Sequence, residues 1–181
     1  MQSRTVLTSS DIDRAVTRIS HEILESNQGS QNLVILGIPT RGAVLAKRIV
    51  ESIAKFESID SQAVLGTLDI TMHRDDLDSK PTRNPAKTVI PAGGLDGKVV
   101  VLVDDVLFSG RTIRSALDAL GEIGRPRTVQ LAALVDRGHR ELPIKADFVG
   151  KNLPTSKSQS VRVLLGEIDG RDEVSIEGVE Q

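Results

Sequence analysis

The sequence feature that most limits the possible folds is the segment 99–112, which reads VVVLVDDVLFSGRT. Its first part, 99–103, is entirely apolar and mostly valine, a composition typical of a strand that is buried on both faces of a parallel sheet. Asp104 and Asp105 follow directly, and the amphipathic run 113–123 then predicts a helix.

This order of elements predicts a ligand site. Ligands of parallel sheets bind at the carboxyl ends of the strands, and a helix N-terminus there binds anions through its free N–H groups. The segment therefore offers carboxylates for hydroxyl groups or a metal, beside a cradle for phosphate, which suits a phosphorylated sugar. Taken alone, the acidic pair is equally compatible with a solvated strand end that is followed by a turn and a helix cap.

The rest of the chain alternates strands and helices, which predicts one α/β domain over residues 1–181 with a mostly parallel sheet between helices. Ser9 or Ser10 is the expected cap of the first helix. A second helix is expected over 43–56, directly after the loop 37–42. The remaining predicted strands are 33–36, 64–70, 129–135, 147–150, 161–165 and 174–176.

Composition excludes several classes of protein. The chain of 181 residues has no Cys, which excludes a disulfide framework and a thiolate metal site, and its three His are scattered. Its net charge of −2 requires any nucleic-acid contact to use a local patch. Neither a signal peptide nor an apolar run of about 20 residues is visible, so we expect a cytoplasmic protein without membrane contact.

The segment 99–112 resembles the PRPP-binding motif of type I phosphoribosyltransferases, and GIPTRG at 37–42 resembles the pyrophosphate loop of the same family. The resemblance implies that Asp104 and Asp105 hold the ribose hydroxyls, with Mg²⁺ carried by PRPP near this pair and no metal held by the protein directly. It implies a mobile lid over 71–88, where the alternative is a disordered surface loop. The implied PRPP contacts are Thr40, Arg41, Gly42, Arg83, Asp104, Asp105, Val106, Leu107, Phe108, Ser109, Gly110, Arg111 and Thr112, and the implied catalytic residues are Asp104, Asp105 and Arg74.

A narrower resemblance, to bifunctional pyrimidine-operon regulators that are also uracil phosphoribosyltransferases, rests on GIPTRG, DITMHRDDL, VDDVLFSGRT and VDRGHRELPIKADFVGKNLPTSKS. It implies synthesis of UMP from uracil and PRPP, and binding of the pyrimidine-operon mRNA leader when UMP is present. A hood over the base is implied from roughly 136–160 and the C-terminal segment. Phe108 suits this choice because a phenyl ring can pack against a flat base. Uracil is expected near Phe108, Arg137 and Val161.

The first helix supplies a candidate RNA surface. Its polar face carries Arg14, Thr17, Arg18 and His21 and is expected to lack an acidic residue before Glu25. The resemblance adds a second basic cluster, Arg140, Lys145 and Lys151, and a homodimer or larger assembly that joins the two. Two alternatives remain open: a nucleotide-sensing regulator without significant catalysis, and a plain salvage enzyme whose basic helix face is only solvated.

Overall fold

The structure is a computed structural model that describes residues 3–74 and 86–178. In chain order its elements are β1 Ser3–Leu7, α1 Ser9–Asn27, β2 Leu33–Gly37, α2 Arg41–Ile53, α3 Ser61–Val64, β3 Leu65–Thr67, a 3₁₀ turn Thr71–His73, β4 Val99–Leu107, α4 Arg111–Ile123, β5 Thr128–Asp136, β6 Phe148–Asn152, β7 Ser160–Leu164, α5 Gly166–Asp169 and β8 Glu173–Glu177.

The main sheet has five parallel strands in the order β3-β2-β4-β5-β6. Val99, Val101 and Val103 of β4 pack with α1 and α2 in one core, whereas Val100 and Leu102 pack with α4 in the other. The predicted arrangement of a mostly parallel sheet with helices on both faces is therefore confirmed. Burial on both faces explains why residues 99–103 of the central strand are all valine or leucine.

A second, three-stranded antiparallel sheet has the order β1-β8-β7, and we call it the hood sheet. Its composition differs from the sequence expectation in two respects. Residues 148–152, expected in the hood, form the edge strand β6 of the main sheet, and the N-terminal strand β1 joins the hood sheet. The pairing of chain ends that are about 170 residues apart leaves no local signal in the sequence.

Several element boundaries also differ from the predictions. The cap of α1 is Thr8 and not Ser9 or Ser10, because Thr8 and Asp11 form a reciprocal capping box. The predicted strand 64–70 is reduced to the three residues of β3, preceded by the short helix α3. In the described part of the chain, no helix combines the length and the apolar content needed to cross a membrane.

Candidate active site

The site lies where the strand order of the main sheet reverses. The chain passes from β2 outward to β3 on one side and from β4 outward to β5 on the other, so the switch point falls between β2 and β4. The β2–β4 pairing ends at Gly37 and Val103, but β4 runs on to Leu107 beside β5. Asp104 and Asp105 therefore lie inside β4 and not after it, at the crevice where ligands of such sheets bind.

The two carboxylates have different surroundings. Asp104 is buried, with 8% of its surface exposed, whereas Asp105 is half-buried. One Asp104 oxygen accepts the backbone N–H of Asp105 at 3.0 Å, and one Asp105 oxygen accepts the N–H of Val106 at 2.9 Å. Burial, and secondly the negative charge of Asp105, raise the pKa of Asp104 well above its usual range. This pair is thus close together and oriented by the backbone.

The loop after β4 leads into the N-terminus of α4. Gly110 caps this helix at φ +92°, a conformation that glycine adopts readily, and the Arg111 N–H donates to Ser109 Oγ at 3.4 Å. The Ser109 carbonyl accepts the N–H groups of Glu141 and Leu142 at 2.9 and 3.1 Å, which fixes the loop against the segment after β5. The N-terminal end of α4 is suited to bind an anion.

The loop after β2 brings a second set of predicted residues to the switch point. A Cβ on Gly42 would lie 2.4 Å from the Val103 carbonyl oxygen, so glycine allows α2 to begin directly beside β4. The contact of Gly42 with PRPP that the resemblance implies stays a prediction. Thr40 is exposed, and Arg41 forms a two-bond ion pair with Asp169 of α5.

Phe108 and Arg137 form the third part of the site. The Arg137 guanidinium carbon lies 4.1 Å from the centre of the half-exposed Phe108 ring, within the range of a cation–π contact. Arg137 also donates to Thr155 Oγ1 at 3.1 Å and to the carbonyls of Ser156 and Gln159 at 3.1 and 2.7 Å. Burial lowers the pKa of Arg137. Val161, the other residue predicted for uracil, is half-buried in β7.

The predicted lid lies largely outside the described residues. Arg83 falls in the undescribed segment 75–85, so the structure gives no position for it. Arg74 is described and half-buried, directly after the 3₁₀ turn. The two ends of the segment meet at β3, where Thr67 and Val89 exchange two backbone hydrogen bonds of 2.9 Å. The segment 71–88 therefore leaves and rejoins the main sheet at one place.

The basic face of α1 borders an open groove of about 680 Å³. Arg14 is largely exposed, and it donates to Ser10 at 2.8 Å and to Asp11 at 2.5 Å. Arg18 donates to Glu22 at 2.8 Å and to the carbonyls of Val149 and Gly150 in β6. The groove is lined by Ser10, Asp13, Arg14, Thr17, Arg18, His21, Glu22 and Glu25.

These contacts correct the expectation that the face has no acidic residue before Glu25. Asp11 and Glu22 stand three and four positions from their arginines, the spacing of neighbours on a helix, and they neutralise part of the basic charge. His21 packs against Phe56, with ring centres 4.0 Å apart and ring planes tilted by 36°, and Thr17 donates to the Asp13 carbonyl. The face is therefore mixed in charge.

The second predicted basic cluster divides into two parts. Lys145 and Lys151 are exposed. The Arg140 guanidinium instead donates to Asp136 at 2.5 Å and to the carbonyls of Phe108 and Ile144 at 2.8 Å. Its contacts thus join the loop after β4 to the loop after β5.

Comparisons with known proteins identify the family to which these features belong. Residues 4–165 match the family model for the phosphoribosyl transferase domain. A protein of Leifsonia xyli subsp. xyli, described as bifunctional protein PyrR, is 63% identical over 180 residues, which is 98% of this chain and 98% of that protein. The chain belongs to the PyrR family.

Further relatives and solved structures agree with this assignment. A PyrR of Streptomyces coelicolor is 61% identical over 96% of this chain and 89% of its own length. The hypoxanthine phosphoribosyltransferase of Trypanosoma cruzi superposes with a TM-score of 0.67 at 13% identity, over 96% of this chain and 95% of that chain. The second similarity shows the fold alone, and it confirms the predicted type I phosphoribosyltransferase fold.

Proteins of this wider family generally use Mg²⁺ together with PRPP, and the acidic pair fits that use. Residues 3–74 and 86–178 contain no group of three or more His, Asp or Glu side chains that could hold a metal ion by themselves. Asp104 and Asp105 offer carboxylate oxygens at the switch point of the main sheet. Two carboxylates suit a hard cation that takes its remaining oxygen ligands from a bound substrate and from water.

Sequence reasoning missed the residues that hold this PyrR-family site together. Arg48 of α2 pairs with Glu167 and Asp172, and Arg41 of α2 pairs with Asp169. These ion pairs tie the segment after β7 to α2. The spacing of acids in GEIDGRD was the available signal. It could not be interpreted from the sequence because the partner arginines lie more than 110 positions away.

Proposed function

We propose that this chain transfers the phosphoribosyl group of PRPP to uracil, forming UMP and diphosphate, and that it also binds the pyrimidine-operon mRNA leader. One observation carries the enzymatic part of this proposal. Asp104 and Asp105 lie at the switch point of a parallel sheet, a few residues before the N-terminus of α4. This arrangement provides acceptors for sugar hydroxyls next to donors for a phosphate.

Each part of the site then has one task in the reaction. Asp104 and Asp105 accept hydrogen bonds from the ribose hydroxyls, residues 108–112 surround the 5′-phosphate, and Arg41 faces the diphosphate. Uracil N1 attacks the ribose C1, the bond from C1 to the diphosphate oxygen breaks, and the uracil proton is released. Catalysis is mainly positioning and stabilisation of charge. Mg²⁺, when bound with PRPP beside Asp104 and Asp105, neutralises charge on the leaving diphosphate.

Phe108 and Arg137 supply the surface for the base. A half-exposed phenyl ring backed by a buried guanidinium presents a flat apolar face, against which a pyrimidine can stack. Phe108 has no group that could accept a proton from a purine ring. Uracil therefore fits this position better than a base that needs a carboxylate, and Val161 is the proposed neighbour on the hood side.

The RNA part of the proposal uses the face of α1 and the exposed lysines Lys145 and Lys151. Arg14 is the most exposed arginine of that face, and His21 and Phe56 add a pair of rings in contact. Phosphate contacts give affinity that falls with salt, and a ring can stack on an unpaired base. We propose that a homodimer or larger assembly joins two such faces and that UMP favours RNA binding, which would act through attenuation or translation.

Two measurements on one preparation test both activities. The first is release of diphosphate from PRPP and Mg²⁺ with uracil, compared with hypoxanthine. The second is the affinity for a pyrimidine-operon leader RNA with and without UMP. Uracil-dependent turnover together with UMP-dependent RNA binding supports the proposal. RNA binding without turnover would identify a regulator that only senses nucleotides, and turnover without RNA binding would identify a plain salvage enzyme.

A further inference from the structure

Two arginines of α2 bind the segment that connects β7 to β8. Arg41 and Arg48 are seven positions apart, so they lie on nearly the same face of the helix. Arg48 is held from two sides, by Glu167 with Nε–Oε1 of 2.8 Å and by Asp172 with Nη1–Oδ2 of 2.8 Å. Arg41 has one carboxylate partner among the described residues, Asp169. Both arginines therefore bind the same segment, but Arg48 has two carboxylate partners and Arg41 has one.

Asp169 is held in place by a backbone hydrogen bond as well as by Arg41. Its Oδ2 accepts the backbone N–H of Leu165 at 2.9 Å and the Arg41 Nε–H at 3.2 Å, and its Oδ1 accepts an Arg41 Nη2–H at 2.8 Å. The Leu165 N–H, and secondly Arg41, lower the pKa of Asp169. Both side chains are largely shielded from water, with 25% and 17% of their surfaces exposed. The Arg41 guanidinium is thus held in one plane.

The geometry of this pair leaves half of the guanidinium available. A guanidinium has five N–H donors, and Asp169 takes the side formed by Nε and Nη2. The described residues provide no hydrogen-bond acceptor for Nη1 of Arg41, so Nη1 and the second Nη2–H can bind another anion. Arg41 directly precedes Gly42, whose position for a Cβ lies 3.3 Å from the Asp104 Cα. The backbone that carries Arg41 therefore lies beside the strand that carries the acidic pair.

We infer that Asp169 is a positioning residue, which orients Arg41 so that its remaining donors bind the diphosphate of PRPP. This inference rests on the proposed function. It assigns to the segment after β7 a role in substrate binding across the boundary between the main sheet and the hood sheet. Arg48, which is saturated by two carboxylates and lies two helical turns further along α2, has a structural role only.

The test compares Asp169→Asn with Glu167→Gln, a matched control that weakens the neighbouring ion pair to Arg48. We expect Asp169→Asn to lower kcat/KM for PRPP about tenfold, because a small displacement of a charged donor weakens binding strongly, and to leave KM for uracil unchanged. Inhibition by inorganic diphosphate should weaken by a similar factor. Glu167→Gln should change none of these values, although both variants lose one charged partner of α2.

Two results would overturn the inference. Equal kinetics of Asp169→Asn and wild type would mean that the ion pair only ties the two parts of the fold together. A lower KM for PRPP would mean that Asp169 merely neutralises Arg41, because removing its charge would then strengthen the anion site. If the wild type makes no UMP, the proposed function fails, and calorimetric titration of both variants with diphosphate and Mg²⁺ still decides whether Asp169 orients Arg41.

Discussion

Replacement of Asp104 by asparagine is expected to abolish UMP synthesis and at the same time to stabilise the fold. Asp104 is 8% exposed, it accepts a single backbone hydrogen bond, and Asp105 beside it is also acidic. Burial, and then the charge of Asp105, raise its pKa. Asparagine has nearly the same shape and keeps an oxygen for the Asp105 N–H, but it removes a buried charge that destabilises the folded state.

The sign and size of the effect follow from linkage. A carboxyl whose pKa is raised on folding contributes stability that is fully present below its ordinary value of 3.8 and is lost as the pH rises through the folded-state pKa. The asparagine variant does not lose stability in this way. Its gain in unfolding free energy over the wild type should therefore be absent near pH 3.5 and grow toward neutral pH. We expect a gain of about 1–2 kcal/mol at pH 7, within the range of about 0.5–2 kcal/mol that single stabilising substitutions commonly give. For a chain of this length that is an increase in Tm of about 2–8 °C.

The assay is thermal unfolding of wild type, Asp104→Asn and Asp105→Asn between pH 3.5 and 8, with UMP synthesis measured on the same samples. Asp105 is half-buried, so its variant is the matched control, expected to lose turnover with a smaller gain in stability. The reasoning is refuted if Asp104→Asn is no more stable than wild type at pH 7, or if the difference does not depend on pH. Near-normal turnover in both variants would refute the assignment of the ribose pair.

Four further predictions concern the other parts of the molecule. Arg14→Ala should weaken binding of leader RNA and reduce its salt slope by about one, with unchanged stability and UMP synthesis; unchanged RNA affinity would favour a merely solvated helix face. Arg18→Ala should have the same effect on RNA and also lower the free energy of unfolding by about 1 kcal/mol, because Arg18 donates to two carbonyls of β6. Arg137→Met should lower the free energy of unfolding by about 3 kcal/mol, because three hydrogen bonds are lost, and it should raise KM for uracil. Urea unfolding measures the first effect and uracil kinetics the second. Normal values of both would show that Arg137 is not part of the base site. Residues 71–88 should gain hydrogen-exchange protection when PRPP and Mg²⁺ bind, and equal protection in both states would contradict a lid.

The parts of the fold that could be predicted are those encoded in contiguous stretches of sequence. The valine-rich run 99–103 identified a doubly buried strand, and the order of strand, acidic pair and helix placed Asp104 and Asp105 near a helix N-terminus. The same local reasoning placed the acids after the strand. In the structure β4 continues to Leu107, because its pairing with β5 outlasts its pairing with β2. The length of a strand depends on its pairing with both neighbouring strands, and the sequence of one strand does not specify that pairing.

The mixed charge of α1 is a different case, because its signal was present in the sequence. Asp11 and Arg14 are three positions apart, and Arg18 and Glu22 are four apart, which is the standard spacing of helical ion pairs. Counting the charges of one narrow face missed the acids at its margins. By contrast, the bonds from Arg18 to Val149 and Gly150 span more than 130 residues and required the packing of α1 against β6.

The loops after β4 and β5 act as one unit in this structure, and this bears on how a nucleotide can affect RNA binding. Arg137 lies over the ring of Phe108, and Arg140 donates to the Phe108 carbonyl while it pairs with Asp136 at the end of β5. The position of Phe108 is therefore coupled to the segment that continues to the exposed Lys145. A base that stacks on Phe108 contacts the same unit that carries part of the proposed RNA surface. The two proposed activities thus share residues of one continuous segment, and Arg18 of α1 donates to β6, the strand that follows this segment.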